Sequence, residues 1–244
     1  LGLLNIKLLI WRQNSLNENG SMHEYKLNDI SPEMSFLEML DQLNEKLVTM
    51  GVDPIAFDHD CREGICGKCS LVINGVPHGN EKATTSCQLY MSSFNDGDTI
   101  YIEPWRANAF PVIKDLVVDR SAFQKVVVSA GFTSDDISAR SFVDKNDNEG
   151  VSEICNGCGA CVAACDNASA MLFVAAKANQ LPKYSETMFD HEQMTLNMVA
   201  EMDNNGFGAC TNNGTCTSVC PKEVPLENIS RLNRKYLRAS ILKW

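Results

Sequence analysis

Apolar side chains alternate with polar ones from Ile6 through Leu8 to Ile10, and a second mixed stretch covers residues 22–30, with Asn17-Glu18-Asn19-Gly20 between them. A period of two interrupted by a polar, glycine-ended turn predicts a hairpin of strands over 5–13 and 22–30. The period then changes. Phe36, Leu37, Leu40, Leu43 and Leu47 recur at helical spacing behind Ser35 and Glu38, which stand at capping-box separation, and Gly51 stops the run. Leu71-Val72-Ile73 closing on Asn74-Gly75, and Thr99 to Glu103 following Asn95-Asp96-Gly97-Asp98, supply further strands. Strand, strand, helix, strands is the order of a β-grasp sheet crossed by its helix. The segment from Pro104 to Pro111 breaks this pattern, and the residues beyond it are mostly helical in period. The expected class is α+β, with a β-grasp domain over 1–108 and an α-helical domain over 109–244, a length sufficient for two small cores.

Charge and hydropathy narrow the function. A net charge of -10 argues against a nucleic-acid partner. The longest apolar run, near Ala168 to Ala176, is about half of the roughly 20 residues that a membrane-spanning helix needs, and its small residues suit close packing. The opening Leu1 to Gln13 carries Asn5, Lys7 and Arg12 and reads as a strand rather than a signal sequence.

The chemistry lies in eleven cysteines. Cys61, Cys66, Cys69 and, after a gap, Cys87 follow the plant-type ferredoxin spacing that holds one 2Fe-2S cluster. Gly64 and Gly67 between these ligands let backbone N–H groups turn towards the sulfurs, which raises a cluster's reduction potential. Cys155, Cys158, Cys161 and Cys165 form a second run, and Cys210, Cys216 and Cys220-Pro221 a third. These two runs have bacterial-ferredoxin spacing, in which the last Cys of each run ligates the other cluster. That rule assigns Cys155, Cys158, Cys161 and Cys220 to a 4Fe-4S cluster. Cys165, Cys210 and Cys216 remain for the other, whose missing ligand position is Asn213. Three thiolates suffice for a 3Fe-4S cluster, so the expected set is 2Fe-2S, 4Fe-4S and 3Fe-4S, and an electron carrier is implied. Zinc sites are self-contained tetrahedra and fit the spacing poorly. A disulfide scaffold would belong to a small exported chain. Gly157 and Gly159 read as cluster-loop glycines, since neither a third glycine nor a preceding strand makes a dinucleotide loop.

Asp60-Cys61-Arg62-Glu63-Gly64-Ile65-Cys66-Gly67-Lys68-Cys69 followed by the interleaved seven cysteines resembles the iron–sulfur subunit of succinate dehydrogenase and fumarate reductase, and the likeness spans nearly the whole chain. Pro111-Val112-Ile113-Lys114-Asp115-Leu116-Val117-Val118-Asp119 matches the family's lead into its helical domain. The resemblance implies a flavoprotein partner with covalently bound FAD and the dicarboxylate site, and a membrane cytochrome b that handles quinone. The subunit between them would lie peripherally on the cytoplasmic side of the membrane and relay single electrons. No catalytic residue is expected in this chain.

Departures from the family pattern sharpen the expectation. Cys69 stands where many members have Asp. Asp166 replaces the Pro that usually follows the fourth Cys of the second run. Ala170 and Thr211 stand where ubiquinone-type members place Trp and His. Cys69 completes a four-thiolate 2Fe-2S site, while Ala170 and Thr211 favour the branch with a two-haem cytochrome b and menaquinone, as does Glu103-Pro104-Trp105-Arg106. The Asp166 carboxylate beside Cys165 is expected to lower the potential of the 3Fe-4S cluster.

Other candidates are weaker. His59 lies near Cys61, but a Rieske site needs two His in place of two Cys. His23, His78 and His191 read as surface or turn residues. Met34, Met39, Met171, Met188, Met194, Met198 and Met202 suit core and subunit contacts. Arg231, Arg234, Lys235, Arg238 and Lys243 give the last helix a cationic face, which suits either an acidic partner or headgroup surface or simple complementation of the helix dipole. A free-standing multi-cluster ferredoxin, or the iron–sulfur subunit of a related soluble flavoprotein oxidoreductase, is the alternative function.

Overall fold

The computed structural model describes residues 2–131, 155–180 and 188–242; Lys243 and the side chain of Met188 lie outside the described residues. The predicted hairpin is present as β1 (Leu4–Arg12) and β2 (Ser21–Ile30), antiparallel, with Ile10 opposite His23. Its alternation decides which face is covered: Leu4, Ile6, Leu8 and Ile10 are buried. Short strands β3 (Val72–Ile73) and β4 (Val76–Pro77) follow, then β5 (Thr99–Glu103). Their order is β2-β1-β5-β3-β4, and β5 runs parallel to β1.

Helix α1 (Phe36–Thr49) packs its apolar stripe on this sheet, burying Phe36, Leu37, Leu40, Leu43 and Leu47. It starts where the sequence expects. The Ser35 side chain accepts the Glu38 N–H, and the Glu38 carboxylate accepts the Ser35 N–H at 2.7 Å. Ser35→Ala is expected to cost about 1 kcal/mol, read as a lower thermal midpoint with the cluster spectra unchanged.

Beyond β5 the chain makes a two-stranded ribbon, β6 (Val112–Lys114) with β7 (Val117–Val118). Helices α2 (Ser121–Ser129), α3 (Ala160–Ala163), α4 (Met171–Gln180), α5 (Met188–Asn204), α6 (Thr215–Ser218) and α7 (Glu227–Leu242) follow. Among the described residues no helix is long and apolar enough to cross a membrane. A second core centres on α4, which is buried on nearly all sides, and on stacked Phe123 and Phe173, whose ring centroids are 3.8 Å apart.

The two cores interlock along the connection. Trp105, fully buried, belongs to the helical core, whereas Leu116 belongs to the sheet core. Asp115, also fully buried, fastens them. Its Oδ1 accepts from Arg12 Nε and the Gln13 N–H, each at 3.0 Å, and its Oδ2 accepts the Ala56 N–H at 2.9 Å.

Candidate metal centres

The Cys61 loop has no regular secondary structure, so side chains from its surroundings hold it. Arg62, at φ 55, places its guanidinium on Asp41 of α1, and Gln88 Nε2 donates to the Arg62 carbonyl at 2.6 Å. Gly64 and Gly67 take φ of 71 and 68, left-handed values that glycine adopts without strain. The loop so formed aims its amides at sulfur. Cys61 Sγ accepts the N–H groups of Glu63, Ile65 and Cys66 at 3.3–3.4 Å, and Cys87 Sγ accepts that of Gly64 at 3.3 Å. The Thr85 hydroxyl lies 3.2 Å from Cys87 Sγ.

These contacts act on the thiols' acidity. A hydrogen bond from Cys69 holds Cys87 down to about 5 against its burial, helped by Thr85 and the Gly64 amide. Cys69 is pushed up by the same bond and by burial. Cys61 is lowered because three backbone N–H bonds outweigh its desolvation. Four thiols in two linked pairs, ringed by amide donors, suit an anionic sulfur cluster.

Cys155, Cys158, Cys161 and Cys220 line one cavity together with Leu172, Phe173 and Val224. Gly157 and Gly159, at φ 69 and 93, bend the loop, and Gly159 caps α3. Burial raises Cys155, pushes Cys158 up to about 12 and lifts Cys161 well above the ordinary thiol range. Such thiols ionise only against a bound cation. Asn156 Nδ2, on the same cavity, is buried with no partner. A sulfide acceptor there would satisfy it, so the donor set fits a cluster.

Cys165, Cys210 and Cys216 line another cavity, with Asn213, Met171, Leu226 and Ile229. Asn213 is tied at both ends of its amide. Its Nδ2 donates to Asp166 Oδ2 at 3.1 Å, and its Oδ1 accepts the Thr215 N–H at 3.3 Å and lies 3.0 Å from the Thr215 hydroxyl. Asp166 is solvent-exposed, so water screens its charge. Among the described residues no three His, Cys, Asp or Glu side chains converge closely enough for a single metal ion.

A model described as a 2Fe-2S iron–sulfur cluster binding domain matches residues 7–125, and one described as a 4Fe-4S dicluster domain matches 151–224. The fumarate reductase iron–sulfur subunit of Wolinella succinogenes is 30% identical over 96% of this chain and 97% of its own length. The chain belongs to the succinate dehydrogenase and fumarate reductase iron–sulfur subunits. The succinate dehydrogenase iron–sulfur subunit of Bacillus subtilis is 26% identical, over 94% of this chain and 91% of its own. A chain of the Mycobacterium smegmatis Sdh1 complex in the apo form shares the fold, with a TM-score of 0.66, 22% identity and 97% coverage of both chains.

As a member of this family the subunit transfers electrons through iron–sulfur clusters. Several of its residues escape a reading of the sequence. His78 does sit in a turn, at φ 67, but it is 1% exposed rather than at the surface. Its Nδ1 accepts the Ser86 N–H at 3.2 Å and its ring meets Trp105 edge-on at 5.1 Å. Burial pushes its imidazole down to about 3. Trp105 Nε1 in turn donates to the Cys158 carbonyl at 2.9 Å. His23 and His59 are exposed and His191 is partly so.

Proposed function

We propose that the chain is the wire of a membrane-bound succinate:quinone oxidoreductase, set between the FAD of a flavoprotein subunit and a membrane cytochrome b. In this reading Cys61, Cys66, Cys69 and Cys87 hold a 2Fe-2S cluster within residues 1–108. Residues 109–244 hold a 4Fe-4S cluster on Cys155, Cys158, Cys161 and Cys220, and a 3Fe-4S cluster on Cys165, Cys210 and Cys216. When bound, the clusters carry one electron each, which divides the two-electron chemistry of a flavin into single steps. The protein's part is to hold thiolates, aim amides at sulfur and exclude water. The observation that carries the reading is the grouping of all eleven cysteines into three neighbouring sites of four, four and three.

The face beyond the third site supports a membrane partner. A cavity of about 780 Å³ reaches Cys210 and is bounded by Met171, Met202, Leu226 and Tyr236. On α7, Tyr236, Leu237 and Ile241 are exposed beside Arg231, Arg234 and Arg238. Apolar side chains rimmed by cations suit a partner at an anionic membrane surface. Arg238 also pairs with Glu192 at 3.0 Å, so part of that charge is spent within the fold. We place the complex on the cytoplasmic side on the strength of the family resemblance, and assign it a two-haem cytochrome and menaquinone on the strength of Ala170 and Thr211.

Extraction of membranes with mild detergent tests this. The chain is expected to co-purify with an FAD-containing subunit and a haem protein; recovery of the chain alone in the soluble fraction would favour a free-standing ferredoxin. Asp166→Asn is expected to raise the 3Fe-4S midpoint only slightly, because the carboxylate is exposed and already bonded to Asn213. A large rise in a redox titration would place that charge in a poorly screened path to the cluster.

A further inference from the structure

The first and second cysteine sites meet without a side chain between them. A Cβ on Gly67 would lie 2.6 Å from the Asn156 carbonyl oxygen and 3.1 Å from the Cys158 N, so only glycine lets the two loops touch. One residue outside both loops holds them together. Arg120, at the N-cap of α2 and partly buried, uses a single nitrogen, Nη1, to donate to the Gly67 carbonyl and, at 3.2 Å, to the Cys158 carbonyl.

We propose that Arg120 is a positioning residue for electron passage between the 2Fe-2S and 4Fe-4S sites, fixing their separation and lending one positive charge to both. This rests on the ligand assignment proposed above. Gly67 lies between the ligands Cys66 and Cys69, and Cys158 is itself a ligand, so a donor bonded to both carbonyls sets the relative position of the two sites. Reduction adds a negative charge to whichever site holds the electron. A guanidinium shared between them stabilises either reduced form and keeps the two potentials in step.

The experiment compares Arg120→Gln and Arg120→Lys in the purified complex. Iron content and electron paramagnetic resonance first count the clusters in the wild type. Absence of either cluster there would remove the ligand assignment itself, and the inference with it. With the clusters present, Arg120→Gln is expected to lower the 2Fe-2S and 4Fe-4S midpoints together and to leave the 3Fe-4S midpoint unmoved. Arg120→Lys keeps the charge but, on a shorter side chain with no guanidinium nitrogen at Nη1, does not hold the two carbonyls in the same place. It is expected to preserve both midpoints while weakening the magnetic broadening that each reduced cluster causes in the other's signal. An arginine that acted through packing alone would move the midpoints alike in both variants. Unchanged midpoints in Arg120→Gln would overturn the proposal. If that variant loses a cluster, unchanged broadening in Arg120→Lys would overturn it instead.

Discussion

Asn213→Cys is expected to replace the 3Fe-4S signal of the oxidised complex with that of a 4Fe-4S cluster seen only on reduction. Asn213 stands at the position where bacterial spacing places a thiolate, and it lines the same cavity as Cys165, Cys210 and Cys216. Cluster type is a main lever on potential, and the substitution is expected to lower the third site's midpoint and slow electron delivery onward. The substitution also removes the hydrogen bonds to Asp166 and Thr215 that fix this corner of the loop. An unchanged 3Fe-4S spectrum, with the cysteine shown to be present as a free thiol, would mean that the loop's shape excludes the fourth iron and that the residue type is secondary.

Asp115→Ala is expected to give the largest loss of stability among single changes outside the cysteines. The carboxylate is buried, and its partner Arg12 has a side chain only 13% exposed. Removing one member of a buried pair costs about 3–5 kcal/mol when the other charge is left uncompensated, and Arg12 would keep only a longer ion pair, 3.7 Å, to exposed Asp53. For a chain of this size such a loss corresponds to a fall of roughly 6–20 °C in thermal midpoint. Two backbone amides, of Gln13 and Ala56, lose their acceptor as well. Asp115→Asn keeps an acceptor and tolerates the positive φ of 47, so its loss should be smaller. Equal losses for Ala and Asn would assign the effect to charge alone; a loss below about 1 kcal/mol for Ala, the scale of an exposed pair, would mean that water reaches Arg12.

Local pattern explains what was legible beforehand. The β1–β2 hairpin, the Ser35 capping box and the Asn74-Gly75 turn are written in residues a few positions apart, and the structure places them as expected. The cysteine spacing is equally local within each run. The bonds that join one region to another leave no such trace. Arg12 and Asp115 are 103 residues apart, and Trp105 and the Cys158 carbonyl are 53 apart. His78 looks like an ordinary turn histidine until Trp105 closes over it. Arg120 has no neighbouring motif, and its role depends on two carbonyl groups that any sequence supplies. The β6–β7 ribbon is five residues of strand in all, too short for a period to show.

The most direct test of the electron-relay assignment is a redox titration of the detergent-purified complex followed by electron paramagnetic resonance. Three clusters are expected: a 3Fe-4S signal present before any reductant is added, then one 2Fe-2S and one 4Fe-4S signal appearing as the potential falls. Two 4Fe-4S clusters with no 3Fe-4S signal in the oxidised complex, or fewer than three clusters in a fully metallated sample, would contradict it.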